Sequence, residues 1–357
     1  MLDIRFIKRE RESWTARILV PILSIIMAFV FGWIFLWVNG FDPAPVYWRM
    51  YESTLGSFYA LSETIVKAIP LMIAGLAVSL SFRMKLWNIG AEGQLYMGAV
   101  AASGVALYLD ILWGPLLLLT MLLAAFAAGG LWSLVPGALR AFWDVNVTIT
   151  SLLLNYVAIL FVSYLIFGPW KDPQSFGFPI TPRFPPHATL PAFFDSRIHL
   201  GLAIAIILAV MLYGLLKYTR WGYEVKVIGE SPAAARYAGM NVKRQILLVM
   251  LISGGIAGIV GMVEVAGITH RLQQGISPGY GYTAIIVAWL ARLNPFAIIL
   301  VAFLFGALLV AGLGIQTFGI SFSMVLVIQG AVLFFLLGGD IFVKYRLRIR
   351  RKEKDDL

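Results

Sequence analysis

The sequence predicts an all-α membrane protein with about ten transmembrane segments, and composition and hydropathy support this. Of the 357 residues, 60% are hydrophobic and 13% are charged, whereas soluble proteins carry about 25% charged residues. Uncharged runs long enough to cross the hydrocarbon core, about 20 residues each, recur along the chain. Cys is absent and there are 3 His residues, far apart in sequence. Disulfides, thiolate chemistry and a histidine metal site are therefore not expected.

The individual segments follow from the apolar runs and their interruptions. The first run follows a basic N-terminal stretch and is too long for the core of a cleavable signal, so we expect a retained span. The eighth, 281–291, is too short to span alone, so at least one half-helix or broken helix is expected. Residues 293–339 carry no charge but exceed one span, and glycines with Gln316 and Thr317 predict a turn between two spans. The predicted segments lie near 18–38, 60–82, 91–109, 112–139, 146–168, 198–216, 245–266, 281–291, 295–314 and 320–339.

The distribution of basic residues predicts the orientation. With ten crossings and both termini cytoplasmic, the inside segments hold 22 of the 28 Lys and Arg residues and the outside segments and outer helix ends hold 6, as the positive-inside rule requires. One crossing fewer would place the basic C-terminal tail outside. This bias and contact with anionic lipid explain the net charge of +10, so nucleic acid is not an expected partner. We expect residues 1–357 to form a single transmembrane domain.

Two segments outside the membrane are distinctive. The outer segment 169–197 is rich in Pro and Gly and predicts a semi-rigid cap. The largest inner loop, 217–245, contains a stretch in which Ser231 suits a helix N-cap, Pro232 the first helical position and Gly239 the helix end. This pattern predicts a short helix on the cytoplasmic surface. The helix either only ties two spans together or, through its small side chains, lets another protein approach closely.

The stretch Trp87-Asn88-Ile89-Gly90-Ala91-Glu92-Gly93-Gln94 lies between two apolar runs and is unusually polar. A charged side chain inside a bilayer costs about 2.5–3.5 kcal/mol on insertion scales. Glycines beside it permit close backbone approach or a broken helix, which is tolerated where it lines a cavity. One interpretation is a transport pathway. The alternative is an ordinary cytoplasmic hairpin in which Glu92 caps the next helix.

These residues carry a family resemblance. The stretch from Trp87 to Ala99 resembles the N-I-G-x-E-G-Q-x-x-x-G-A signature of ABC-importer permeases of the branched-chain amino acid, ribose and nucleoside superfamily. The match is nearest to the nucleoside subgroup associated with basic membrane lipoproteins. Residues 229–239, followed by the glycine-rich stretch 253–264, are similar to that family's coupling helix and next span. The outer stretch 168–173 also resembles the nucleoside subgroup.

The resemblance implies a transport subunit that is not itself an enzyme, in the inner membrane of a bacterial cell. The sequence has no P-loop motif, so this chain needs no cofactor and a separate ATPase would use ATP and Mg. A second related permease would complete a heterodimer, and a substrate-binding lipoprotein would deliver solute outside. The residues expected to couple to the ATPase are Glu230, Ser231, Ala234, Ala235, Arg236 and Gly239.

Polar residues within the apolar runs are the candidates for the solute pathway: Asn88, Glu92, Gln94, Asn155 and Glu264, with Gln329 as a weaker one. For the first three, fixing a helix break is an equally good explanation. Glu264 follows the small face Gly254-x-x-x-Gly258, where a hydrogen-bonded contact between helices is the alternative. Glu63 and Lys67 share a helix face and are expected to form a local ion pair at the outer end of the second span, with a role in solute binding as the alternative.

The expected solute is neutral and rich in hydroxyl groups, because basic residues fall at span ends or in loops and an anion would need them in the pathway. The subgroup resemblance favours nucleosides, and a simple-sugar permease for pentoses is the alternative. An ion-coupled secondary transporter would also bury carboxylates in broken helices, but no inverted repeat is clear. A membrane-embedded enzyme would need clustered His, Cys or Asp residues, and the sequence shows no such cluster.

Overall fold

The computed structural model describes residues 2–8, 14–109, 111–193 and 195–351, and these residues are mainly helical. The chain divides into two compact units. The smaller unit contains residues 1–53 and 310–357, and the larger contains residues 54–309. The predicted helical class is therefore confirmed, with one difference at the termini of the chain.

That difference is a pair of short strands in the smaller unit. Strand β1 pairs antiparallel with β2, so that Leu2 lies opposite Arg351 and Lys8 opposite Tyr345. Both segments alternate apolar with charged residues over part of their length, a period of two that is typical of strands. Their content of Lys and Arg predicts only basic tails. The elements of this unit are β1 (Leu2–Lys8), α1 (Trp14–Val38), α2 (Pro43–Leu55), α13 (Phe322–Lys344) and β2 (Tyr345–Arg351).

Within the smaller unit, α1 packs along α13, and the Phe31 and Phe335 ring centroids lie 6.1 Å apart. The Tyr47 hydroxyl of α2 donates a hydrogen bond to the Phe29 carbonyl of α1 at 2.8 Å. A tyrosine in an apolar setting needs such a partner for its hydroxyl.

The larger unit is built around helix α10, which packs against α3, α4 and α5. The small face containing Gly254 and Gly258 allows this approach, since a side chain at Gly258 would collide with the Ala125 carbonyl of α5. Small residues serve this purpose in membrane helices. The helices are α3 (Phe58–Arg83), α4 (Ala91–Tyr108), α5 (Gly114–Trp143), α6 (Val147–Phe167), α7 (Gly201–Tyr218), α8 (Arg220–Glu230), α9 (Pro232–Tyr237), α10 (Val242–Glu264), α11 (Tyr280–Leu290) and α12 (Pro295–Ile315).

Several helices have the length and composition of membrane spans, so the protein is a multi-pass membrane protein. Helix α11 has 11 residues, as expected for a half-helix, and a 3-10 turn at Gln316–Phe318 separates α12 from α13. The total of ten crossings and the orientation of the termini stay predictions. Six helices in the described ranges meet the length and hydropathy criteria: Phe58–Arg83, Gly114–Trp143, Val147–Phe167, Gly201–Tyr218, Val242–Thr269 and Pro295–Phe318.

The segment 169–193, which we call the outer segment because the sequence predicts it to lie outside the membrane, lies against the chain that follows α10. Helix α10 continues as a π-helix, Val265–Thr269, and the outer segment runs alongside it. The Thr181 N–H donates to the Leu272 carbonyl at 3.0 Å, and the Leu190 N–H donates to the Ala266 carbonyl at 2.9 Å. These backbone contacts hold the proline-rich segment in place.

Candidate functional site

The polar stretch identified in the sequence is a break between two helices. Helix α3 ends at Arg83 and α4 begins at Ala91, and we call residues 84–90 between them the break segment. Four of the predicted pathway residues gather around it, and each is at most 2% exposed: Asn88, Glu92, Gln94 and Asn155. The structure therefore brings together residues from α4, from α6 and from the break segment itself.

Asn88 and Gln94 form a reciprocal pair of amides. The Gln94 Nε2 donates to the Asn88 Oδ1 at 3.0 Å, and the Asn88 Nδ2 donates to the Gln94 Oε1 at 3.3 Å. The Asn88 Oδ1 also accepts from the Gly90 N–H at 3.0 Å. Because buried polar groups are costly when unpaired, this pairing lets the break segment lie inside the protein.

Asn155 of α6 clamps the break segment to α4. Its Oδ1 accepts from the Gly93 N–H at 2.8 Å, and its Nδ2 donates to the Ile89 carbonyl at 2.9 Å. The same Nδ2 lies 3.2 Å from the Tyr282 hydroxyl of α11. Ser151, one turn earlier in α6, accepts from the Ile89 N–H at 3.1 Å. Helix α6 thus satisfies the backbone groups that the broken helix leaves without partners.

Glu92 caps a helix other than its own. Its Oε2 accepts from the Gly281 N–H at 2.7 Å, in the first turn of α11. Ser277 also hydrogen-bonds to the Glu92 side chain, and its Oγ accepts from the Tyr280 N–H at 2.9 Å. Helix α11 begins at Tyr280, and its N-cap residue Gly279 provides no side-chain cap. The carboxylate therefore stabilises the positive end of the α11 dipole.

These contacts favour the structural explanation for the break: the four side chains use their hydrogen-bonding groups to hold it. The sequence did not identify Ser151, Ser277 or Tyr282 as part of this site. In the sequence these three are only polar or aromatic residues near the ends of helices. Many other positions have the same property, so it does not identify a site. Tyr282 is half-buried, and beside it Tyr156 is 59% exposed.

Glu264 lies apart from the break segment, at the end of α10. Its side chain is 4% exposed and lies within electrostatic range of Lys67 and Arg197. Tyr280 interacts with both Glu264 and Glu92, and its hydroxyl lies 3.5 Å from the Lys67 Nζ. The first residue of α11 therefore lies between the two buried carboxylates.

The prediction of an ion pair between Glu63 and Lys67 is wrong. Glu63 pairs instead with Arg197, which precedes α7, at 3.0 Å from Nη1 to Oε2. Lys67 is directed toward Tyr280 and lies within range of Glu264. The helical spacing permitted the local pair, but partners distant in sequence compete for both side chains.

A buried histidine lies two residues after Arg197 in the sequence. His199 is 1% exposed, and its Nδ1 accepts from the Gly201 N–H at 3.2 Å. Burial lowers the pKa of His199 to about 4, and His270 and Arg197 act in the same direction. Among the described residues, no three His, Cys, Asp or Glu side chains form a group suited to a metal ion.

The loop 217–245, which the sequence predicts to be cytoplasmic, forms the expected short helix. The Ser231 Oγ accepts from the Ala234 N–H at 3.2 Å, Pro232 begins α9 and Gly239 follows it with a φ of 77°. Gln245 of α10 donates to Glu224 and fixes α8. Beside α9 is a groove of about 930 Å³, whose lining includes Lys85, Arg140, Lys243 and Arg236.

The predicted coupling residues differ in exposure. Glu230, Ala234, Arg236 and Gly239 are exposed and Ser231 is half-buried, but Ala235 is 0% exposed. Ala235 therefore anchors α9 and cannot belong to its accessible face. Tyr237, in the same stretch, is 97% exposed and is not among the predicted coupling residues. The side chain of Gln329 lies outside the described residues, so its place in the pathway stays a prediction.

Comparison with known proteins identifies the family. The sequence profile described as "Branched-chain amino acid transport system / permease component" matches residues 60–337. The chain belongs to this permease family. The resemblance inferred from the signature at the break segment is thereby confirmed, and the permease is a transport subunit of the ABC type.

Three relatives illustrate the range of solutes. The permease is 39% identical to the glucose ABC transporter permease protein TsgB13 of Haloferax volcanii, over 96% of this chain and 92% of the relative. It is 34% identical to the guanosine ABC transporter permease protein NupP of Bacillus subtilis, over 84% and 86%. It is also 29% identical to NupQ, another guanosine permease protein of that organism, over 68% and 78%.

Proposed function

We propose that the permease forms the membrane pathway of an ABC importer for a neutral, hydroxyl-rich solute, with nucleosides as the first candidates. Charge balance is the observation that carries this proposal. Glu92 is bound by Gly281 and Ser277, and Glu264 lies within range of Lys67 and Arg197. Lys67 and Arg197, the basic side chains near Glu264, therefore have carboxylate neighbours, whereas an anionic solute would need Arg or Lys groups of its own.

The choice of nucleosides rests on similarity. NupP and NupQ are both named as guanosine permeases, and the break-segment signature resembles the nucleoside subgroup. A nucleoside needs hydrogen bonds for its ribose and an aromatic surface for its base. The partly accessible Tyr156 and Tyr282, beside Asn155, supply groups of this kind.

A monosaccharide is the second candidate, and a specific observation supports it. TsgB13, named as a glucose permease, is 39% identical over nearly the whole chain. Sugars meet the same requirement of neutrality and hydroxyl groups. An ion-coupled secondary transporter is no longer a candidate, because the family is one of ABC permeases.

Competition for uptake separates these candidates. Cells carrying the complete system would take up labelled guanosine in the presence of excess unlabelled guanosine, adenosine, cytidine, ribose or glucose, with a strain lacking the permease as control. Parallel uptake of labelled glucose would identify a sugar system. We expect the nucleosides to compete. Uptake and competition by sugars alone would assign the permease to sugars, and competition by nucleotides alone would overturn the charge argument.

The proposed partners follow from the exposed surfaces and the relatives. An ATPase would bind α9, whose exposed residues Ala234, Arg236 and Tyr237 face away from the protein. A second permease is supported by NupP and NupQ, two related proteins of one organism named for the same solute. A substrate-binding lipoprotein would deliver solute outside. The setting would be a bacterial inner membrane with α9 on the cytoplasmic side, and ATP and Mg would be used by the ATPase.

A further inference from the structure

Helix α11 is held at both ends by charged residues that flank the break segment. At its N-terminal end, Glu92 accepts from the Gly281 N–H at 2.7 Å. Beyond its C-terminal end, the Arg83 Nη2 donates to the Leu293 carbonyl at 2.6 Å. Between these contacts, Trp87 of the break segment stacks on Trp289 of α11 with ring centroids 5.5 Å apart. The break segment therefore runs alongside α11.

The turn that Arg83 holds is strained. Arg292 and Leu293 have φ values of 51° and 59°, in the left-handed region that is unfavourable for residues other than glycine. The turn closes through the Leu293 N–H, which donates to the Ala288 carbonyl at 2.9 Å, the pattern of a helix end that glycine usually provides. Two adjacent strained residues mark this turn as a place where the chain can change conformation.

Arg83 also touches the cytoplasmic loop. Gly229, in the last turn of α8, lies so close to α3 that a side chain there would collide with the Arg83 carbonyl and come within 3.3 Å of the Met84 Cα. Helix α9 begins three residues after Gly229. A movement of α9 would therefore also move the backbone of Arg83. The Arg83 guanidinium is in turn hydrogen-bonded to the turn after α11.

We propose that Arg83 is a positioning residue that transfers motion of α8 and α9 to the half-helix α11 and so to Glu92 and Asn155. The Arg83 Nε is buried without a hydrogen-bond partner, so one bond to Leu293 holds the guanidinium in an environment where an unpaired donor is costly. This inference rests on the proposed function, in which the ATPase contacts α9. The inference adds how a movement of α9, caused by the ATPase, would be transmitted to the break segment.

The test compares uptake with ATP hydrolysis in the complete transporter reconstituted in vesicles. Arg83→Met keeps the side-chain length and removes the donor. We expect uptake of labelled guanosine, or of glucose if competition selects the sugar, to fall roughly tenfold, within the range typical of coupling between sites, while hydrolysis by the assembled complex persists. Arg83→Lys retains a donor and should keep more uptake. Arg49→Met removes a charge from α2 in the smaller unit, where the side chain is 39% exposed, and should change neither measurement.

A second variant separates transfer of motion from simple support of the strained turn. Leu293→Gly relieves the left-handed strain. If Arg83 only stabilises that turn, Leu293→Gly combined with Arg83→Met will restore uptake, and the proposal fails. It also fails if uptake and hydrolysis fall in proportion, or if neither falls. If the transporter carrying Arg83→Met does not assemble, the ratio of uptake to hydrolysis is measured for Arg83→Gln. The Gln side chain stays polar but is shorter, so it withdraws the donor from the Leu293 carbonyl, and the same criteria apply.

The proposed ATPase contact is tested separately by co-purification of the ATPase with Ala234→Trp. Retention of the ATPase by that variant would overturn the docking site on α9. The uptake-to-hydrolysis ratio of Arg83→Met would still show whether Arg83 couples the two activities.

Discussion

The carboxylate of Glu92 on α4 lies 2.7 Å from the backbone N–H of Gly281 and so caps the half-helix α11 from outside. Hydrogen bonds to charged groups contribute about 1.5–3 kcal/mol each, and a negative charge at a helix N-terminus adds to this. The burial of the Glu92 carboxyl group is thereby explained by a specific partner. Helices α4 and α11 are thus linked by a hydrogen bond between residues 189 positions apart in the sequence.

Removing the Glu92 cap is expected to impair both stability and transport. Glu92→Ala should lower the free energy of unfolding by about 2 kcal/mol, because the Gly281 N–H loses its acceptor, and should cut uptake sharply. Glu92→Gln keeps an oxygen acceptor and should be milder. The measurements are thermal unfolding in detergent and uptake in cells. Glu52→Ala, which removes a carboxylate whose side chain is 53% exposed, is the control. Parental uptake by both Glu92 variants would show that the cap is dispensable.

The close packing of α10 predicts a contrast between two glycines. Gly258→Ala would press a methyl group against the Ala125 carbonyl and the Gly129 Cα, the latter at 3.1 Å. Overpacking of this kind typically costs about 1–3 kcal/mol. Gly214→Ala on α7 meets nothing within 4 Å and should be neutral or gain up to ~1 kcal/mol from helix propensity. Melting temperatures of the purified proteins test this, and equal values for both variants would contradict the packing argument.

The two alanines of α9 are expected to respond differently to enlargement. Ala234→Trp alters an exposed position and should abolish uptake and ATPase binding while the protein inserts normally. Ala235→Trp alters a position that is 0% exposed. It should lower the yield of folded protein, because the closely packed surroundings leave no room for the indole ring. Uptake, ATPase co-purification and membrane yield are measured together. Normal uptake by Ala234→Trp would remove this face from the contact.

Protonation of His199 is expected to destabilise the protein in acid. Since burial lowers its pKa in the folded state to about 4, and the unfolded value is about 6.5, only the unfolded state takes up a proton between these values. Stability contributed by the neutral ring should be present above pH 6.5 and fall as pH decreases toward 4, by about 3 kcal/mol at most. Melting temperature against pH measures this.

The matched variants for that experiment are His199→Asn and His187→Gln. Asn can replace the Nδ1 acceptor for the Gly201 N–H but does not titrate, so its melting temperature should depend less on pH between 6.5 and 4. His187, in the short outer 3-10 helix, serves as control and its variant should follow the parental curve. A slope left unchanged by His199→Asn would assign the acid sensitivity to other groups.

The sequence by itself determined the ten long apolar segments and the short helix α9, but it did not indicate α2 or α8. Apolar runs placed each predicted segment on a helix, 281–291 corresponding to α11 (Tyr280–Leu290) and 60–82 to α3 (Phe58–Arg83). Ser231, Pro232 and Gly239 located α9, because capping depends on a few neighbouring residues. The family signature located the break segment. All of these are local patterns, or patterns set by the thickness of the membrane.

Only the tertiary structure decided which residues the polar side chains meet. Glu92 caps α11 and not its own helix, Asn155 clamps a segment about 60 positions away, and Glu63 pairs with Arg197 in place of Lys67. Ala235 is buried although its neighbours are exposed. A polar group inside a membrane protein must find a partner, and the sequence shows that requirement. The identity of the partner depends on how helices distant in sequence pack, and spacing along one helix does not contain that information.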